Sequence, residues 1–144
     1  REVVCWGWDS EGQVSKAPKG QRFRTIAAGA KHTCGLLEGD GSVLCWGSRM
    51  NDVSSPPEGE TFADIVSGYW HLCGLRPDGS VRCWGSKTFA MTTPPEGVRF
   101  SQIAAGSSQS CGLRRDDGTV VCWGKVDNGQ APAGERMLMV SVGE

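Results

Sequence analysis

The sequence predicts an all-β protein: a segment of a β-propeller with one small sheet per repeat. Three observations carry this expectation. One phrase, F-x-x-I-x-x-G-x-x-H/Q-x-C-G-L, then a short acidic Gly turn and V-x-C-W-G, occurs three times at a spacing of 37 to 40 residues. The segments around those turns alternate like strands, and no window sustains a helical period. The 21 Gly and seven Pro recur with the repeat, which marks turns rather than disorder. Units of this length bury their faces only against each other, as propellers and solenoids do.

Taken in order, the chain enters mid-repeat at Cys5-Trp6-Gly7, read as a strand. Phe23 and Ile26, with counterparts Phe62/Ile65 and Phe100/Ile103, anchor a first strand that ends at Gly29, Gly68 or Gly106. The H-x-C-G-L and C-W-G strands then fold about Gly-Asp-Gly, Pro-Asp-Gly and Asp-Asp-Gly, a hairpin signal in which Gly supplies positive φ beside the turn aspartate. A Pro-containing connection leads to the next unit. Within one segment, 1–144, complete repeats are expected at about 23–61, 62–99 and 100–136, with partial repeats at 1–22 and 137–144.

Residues Met137 to Gly143 are the counterpart of Phe23 to Gly29, and the H-x-C-G-L strand that would join them to Cys5-Trp6-Gly7 is missing. The chain is therefore expected to be part of a longer protein or a partner in a shared ring. The partner of Cys5 would sit in that missing strand, so either the strand belongs to another part of the protein, or Cys5 is a free thiol or an intermolecular link. A net charge of −1 with mixed signs gives no footprint for nucleic acid, and no apolar run is long enough for direct membrane insertion.

The paired cysteines stand 11, 10 and 11 positions apart around a tight turn. Folding Cys73 to Cys83 about Asp78 sets Gly74 opposite Arg82 and Leu75 opposite Val81, so the two cysteines face each other. Opposed residues of a non-hydrogen-bonded antiparallel pair lie ~4.5 Å apart between Cα atoms, at the short end of disulfide range. The expected bridges are Cys34–Cys45, Cys73–Cys83 and Cys111–Cys122. Each closes a small loop worth at most about 2.7 kcal/mol and implies an oxidising, extracellular or cell-surface location. Two alternatives stay open: reduced cysteines packed as small hydrophobes, and zinc held with His32 or His71, against which stand Gln109 in the third repeat and the lack of any C-x-x-C. The histidines are expected to hold backbone at the turn after the Gly, a role Gln can share.

These residues resemble the repeats of the regulator-of-chromosome-condensation superfamily, over nearly the whole chain from Val3 to Gly143. The C-G-L…C-W-G form is similar to crinkly-type plant receptor kinase ectodomains and to secreted bacterial members. The resemblance implies a propeller, commonly seven-bladed, and partner binding through one propeller face. It does not fix function, because related members include nucleotide exchange factors, a β-lactamase inhibitor, a photoreceptor and receptor ectodomains. The exchange factor's basic element is absent. Trp6, Trp46, Trp84 and Trp123 share one repeat position, which reads as packing rather than a chromophore cluster. Asp40, Asp78 and Asp117 are explained by their turns, and no catalytic constellation or cofactor motif stands out.

The expected function is therefore non-enzymatic: extracellular recognition of a protein or glycan through variable loops on one propeller face. The alternative is a structural unit that self-associates through its incomplete terminal blade. Positions that vary between repeats are candidates for partner contact. Ala30-Lys31, Tyr69-Trp70 and Ser107-Ser108 are equivalent, and Tyr and Trp are common interface anchors. With Arg49, Phe89 and Met91 they form the expected contact set, Phe89 and Met91 having the alternative of filling the gap between blades.

Alkylating the native chain is expected to label at most one of its seven cysteines, and all seven after reduction. Intact mass reads the difference, and full labelling without reductant would place the cysteines in the core as thiols.

Overall fold

The computed structural model describes residues 2–125. The described residues form nine strands in three antiparallel sheets. The first blade comprises β1 (Phe23–Ala28), β2 (His32–Leu37) and β3 (Val43–Gly47). The second comprises β4 (Asp64–Ser67), β5 (His71–Leu75) and β6 (Val81–Gly85). The third comprises β7 (Phe100–Ala105), β8 (Gln109–Arg114) and β9 (Val120–Gly124). Each sheet runs in sequence order, the meander of a propeller blade. Residues 126–144, which include the expected final partial repeat, lie outside the described residues.

The hairpin register is the one the turn dictates. Cys73 pairs with Cys83, Gly74 with Arg82 and Leu75 with Val81. Cys34 pairs likewise with Cys45 and Cys111 with Cys122. All three bridges are formed, with Cα atoms 4.0–4.1 Å apart. Each turn is fixed by its aspartate. Ser42 N–H and Oγ–H donate to Asp40 Oδ1 at 2.9 and 2.7 Å. Ser80 does the same to Asp78, and Thr119 to Asp117. These bonds to Ser or Thr hold the three carboxyls below the usual aspartate value. The glycine that follows has φ of +74°, +88° and +72° respectively, the left-handed region in which a side chain is disfavoured.

Each blade has two unlike faces because strand side chains alternate. One presents the disulfide and the Leu of C-G-L. The other presents the Phe, the Ile and the Trp of C-W-G. Stacking sets the disulfide face of one blade on the aromatic face of the next. Cys34 and Leu36 join Phe62, Ile65, Leu72 and Trp84 in one cluster. Cys73, Leu75 and Cys83 join Phe100, Ile103 and Trp123 in another. The glycine of C-G-L belongs to the aromatic face. A Cβ on Gly74 would fall 2.4 Å from Cδ1 of Phe62, so this position must be bare for the ring to lie flat. Ring centroids of the Phe and Trp within each blade are 5.7–5.8 Å apart.

Backbone hydrogen bonds staple each joint. Phe62 N–H donates to Gly41 O, and Phe100 N–H to Gly79 O, both at 2.7 Å. At the other end of the blades Ala30 N–H donates to Tyr69 O and Tyr69 N–H to Ser107 O.

The histidines behave differently from the expectation. The turn after the Gly closes through backbone alone, Gly29 N–H to His32 O and Gly68 N–H to His71 O. The rings are left to reach the next blade. His32 Nε2–H donates to Ser67 Oγ at 2.9 Å, that hydroxyl giving its own proton to Gly68 O. His71 Nε2 shares a hydrogen bond with Ser110 Oγ at 2.8 Å. Both rings are buried, and neither Nδ1 has a hydrogen-bond partner among the described residues.

The first segment departs from the expected strand. Cys5-Trp6-Gly7 is not in a strand, and Trp6 is 84% exposed while Trp46, Trp84 and Trp123 are 5–8% exposed. A C-W-G strand forms by pairing with C-G-L and by setting its Trp beside the blade's own Phe, and this segment has neither partner among the described residues. Gly7 nevertheless keeps φ +112°, against +102°, +106° and +95° at Gly47, Gly85 and Gly124. Cys5 is free and half-buried, and burial pushes its thiol pKa up.

Burial pushes both imidazoles down from 6.5 to about 4, with His71 adding to the effect on His32. The unfolded chain therefore takes up protons that the folded chain refuses. The joints are at full strength above pH 6.5 and weaken as pH falls towards about 4. The loss should reach roughly 3 kcal/mol per histidine, read by denaturant titration at stepped pH. A His32→Gln, His71→Gln double variant should flatten the slope.

Candidate functional site

The meander sends the loops of a blade to opposite ends. The β2–β3, β5–β6 and β8–β9 hairpins and their aspartates lie at one end. The Gly29–Lys31, Gly68–Trp70 and Gly106–Ser108 links, together with the segments that leave β3, β6 and β9, lie at the other. Their proximity is fixed by backbone. Ser48 N–H donates to Lys31 O at 2.8 Å, Ser86 N–H to Trp70 O at 2.7 Å and Lys125 N–H to Ser108 O at 2.9 Å. Two loops from each blade are thus sewn into one rim. A Cβ on Gly85 would come within 2.5 Å of Trp70 O, so the close approach depends on the Gly of C-W-G.

Four of the five predicted contact residues lie on this rim with accessible surface. Tyr69 is 44% exposed, Phe89 is 56% exposed, Arg49 is exposed and Trp70 is half-buried. Arg49 belongs to the rim of the first blade, and Tyr69, Trp70 and Phe89 to that of the second.

Met91 is the exception and is withdrawn from the set. It is 3% exposed and fills the gap between blades. Its place is shared with Val53, fully buried, and with Gln13. Val53 O accepts a hydrogen bond from Trp84 Nε1 of the next blade, and Gln13 O one from Trp46 Nε1. The signal was present in the sequence. Gln13, Val53 and Met91 each stand six residues after the Gly of C-W-G, so Met91 has an apolar counterpart once loops are aligned from that glycine.

Two features of the rim were not visible in the sequence. Lys125 Nζ sits 5.3 Å from the centroid of the Phe89 ring, a cation–π contact between the second and third blades. Phe89 and Ala90 also have φ of +55° and +57°. Their equivalents in the preceding repeat, Asn51 and Asp52, have φ of +58° and +55°, and Asn and Asp tolerate that region well. The loop shape is common to both repeats, but in the second it carries a Phe that projects into solvent.

Among the described residues no three His, Cys, Asp or Glu are grouped to hold a metal ion, the six paired thiols being consumed in disulfides. No helix among them is long and apolar enough to cross a membrane.

The model of the regulator of chromosome condensation (RCC1) repeat matches residues 23–52, 62–89 and 100–130, the three repeats in turn and more than half of the chain. The chain belongs to the RCC1 repeat family. Among solved structures it is similar to the entire ectodomain of the Physcomitrella patens receptor kinase CR4, at 28% identity and a TM-score of 0.80 over 97% of this chain. It is also similar to the CRINKLY WD40 ectodomain of the Arabidopsis thaliana receptor kinase ACR4, at 36% identity and a TM-score of 0.78 over 91% of this chain. It spans 38% and 46% of those two ectodomains. Prp20p of Saccharomyces cerevisiae matches at 21% identity and a TM-score of 0.62, over 78% of this chain and 33% of that one, a likeness of fold alone. Three bridged blades of the RCC1 type are therefore a cysteine-bearing propeller segment, as the spacing of C-G-L and C-W-G predicts.

Replacing Ala90 with Gly should relieve the left-handed residue next to Phe89. An increase in stability of about 1 kcal/mol is expected, measured as a shift in denaturant midpoint at unchanged slope.

Proposed function

We propose that this chain is part of an extracellular recognition module that binds a protein or glycan through the rim of Tyr69, Trp70, Arg49 and Phe89. The observation that carries the reading is the contrast between positions. Residues that repeat are spent on the blades and their joints: the disulfides, Phe, Gly and Trp, and the aspartates that fix each hairpin turn. Tyr69, Trp70 and Phe89 are large, do not repeat and stand at least partly open at the same end of the blades. Large aromatics in such a place give contact area at low entropic cost. Three disulfides and the likeness to two receptor kinase ectodomains support an extracellular setting.

One observation favours a second reading, association through the aromatic face of the first blade. Ile26 is 41% exposed, whereas its equivalents Ile65 and Ile103 are 2% and 3% exposed under the preceding blade's disulfide face. Leu44 on the same face is 37% exposed. The face has the composition that receives another blade.

Substituting both Tyr69 and Trp70 with Ala should abolish retention on a partner surface without changing the size of the protein, since neither side chain belongs to a joint cluster. Light scattering after size exclusion, with Ile26→Asp alongside, separates the readings. Recognition predicts lost binding for the Ala pair alone. Association predicts a drop in mass for Ile26→Asp alone.

A further inference from the structure

The two ends of the blades differ in how far their charges are paired. At the hairpin end carboxylates and arginines are interleaved and largely paired, Arg76 with Glu60 and Arg114 with Asp116 and Asp117, while Arg99 lies near Asp78. At the loop end the described rim presents Lys31, Arg49, Lys87 and Lys125 against Asp52 and, from the first segment, Glu11. Lys31 is engaged by Glu11 of the first segment at 3.6 Å. No ion pair holds Arg49 or Lys87 among the described residues, and both are exposed. Exposed cations without an ion pair among the described residues thus stand at the end where the exposed aromatic residues are.

The aromatic residues sharpen the chemistry. Phe89 is held out by a left-handed backbone that a Phe disfavours, 56% exposed, with Lys125 across its ring. The joints gain nothing from that arrangement, since the equivalent Asn51 and Asp52 take the same φ without an aromatic. Backbone held in a sparsely populated conformation is characteristic of binding surfaces. Tyr69 and Trp70 lie on the same blade, Trp70 O accepting from Ser86 N–H one residue before Lys87.

We propose that the rim binds an acidic polypeptide segment that carries an apolar side chain among its carboxylates. The carboxylates meet Arg49, Lys87 and Lys125, and the apolar side chain packs on Phe89 and the Tyr69–Trp70 pair. This rests on the recognition reading and adds the class of partner. Charge would speed encounter and select among partners, while the aromatics supply most of the contact energy. The apolar requirement distinguishes a polypeptide from a sulfated glycan, which offers anions without hydrophobic side chains.

The test uses the full 144-residue chain with four fluorescent probes read by anisotropy. They are a short Glu-rich peptide with a central Leu-Phe, the same peptide with Ala in place of Leu-Phe, its Lys-rich counterpart, and a heparin fragment. The Glu-rich Leu-Phe peptide should bind tightest, and less so as salt rises. Lys87→Glu with Lys125→Glu should weaken it roughly tenfold and improve the Lys-rich peptide. Phe89→Ser should reduce it to the level of the Ala peptide. Equal binding of acidic and basic peptides, still lost on Tyr69→Ala with Trp70→Ala, would overturn the acidic class while leaving recognition by this rim intact. Heparin binding above both acidic peptides would overturn the polypeptide class. No binding of any probe by the wild-type chain, at low salt as well as high, would overturn the proposal, with the partner-surface experiment left to decide the rim itself.

Discussion

Everything in this chain depends on one contact made repeatedly, the disulfide-and-leucine face of one blade against the Phe–Ile–Trp face of the next. A three-stranded sheet of four- to six-residue strands has too little buried area to stand alone. Each blade needs a neighbour on both faces, and the faces must differ if stacking is to have a direction. The cysteines supply one face with a compact, polarizable surface. The aromatic pair supplies the other, and bare Gly35, Gly74 and Gly112 let the Phe ring lie against its own sheet. The backbone staples and the two histidines then fix how far one blade is turned against the next.

Most of that scaffold is legible in the sequence because it is local. A two-residue-period strand folded about an Asp-Gly turn has only one register that keeps its apolar side chains together, so the pairing of Cys73 with Cys83 follows from turn position. What was not legible involves two repeats at once. His32 finds Ser67 at the end of a first strand, whereas His71 finds Ser110 at the start of a second strand. The two serines are not equivalent positions, so no repeat alignment pairs them with the histidines. Trp6 fails for the mirror-image reason, since it has the right residue type and no strand or ring among the described residues buries it. The recognition rim was half legible. Tyr69 and Trp70 stood out by variation, while Met91 looked variable only until its loop was aligned from the preceding Gly. The left-handed Phe89 could not be foreseen, because the loop shape that imposes it is written in the neighbouring repeat by Asn51.

The two demands on the molecule fall on separate atoms. Joints use the strand interiors and the hairpin end. The loop end, where chain leaves each outer strand, ties the joints through backbone and through Val53 and Met91, and keeps Arg49, Tyr69 and Phe89 exposed. A scaffold of this kind can exchange rim residues without disturbing the blades, as Ala30-Lys31, Tyr69-Trp70 and Ser107-Ser108 illustrate within a single chain.

The disulfides bridge neighbouring strands of the same blade and never cross a joint. Their consequence is mechanical. Tension along the chain can peel blades apart, but in each repeat the 10 or 11 positions between bridged cysteines cannot be drawn out. At an extended reach of about 3.3–3.6 Å per residue, roughly 35 Å of contour per repeat stays hidden until the bond is reduced. A blade pulled from its neighbours therefore departs with its central hairpin still closed and its disulfide face still assembled, ready to seat again when the load is released.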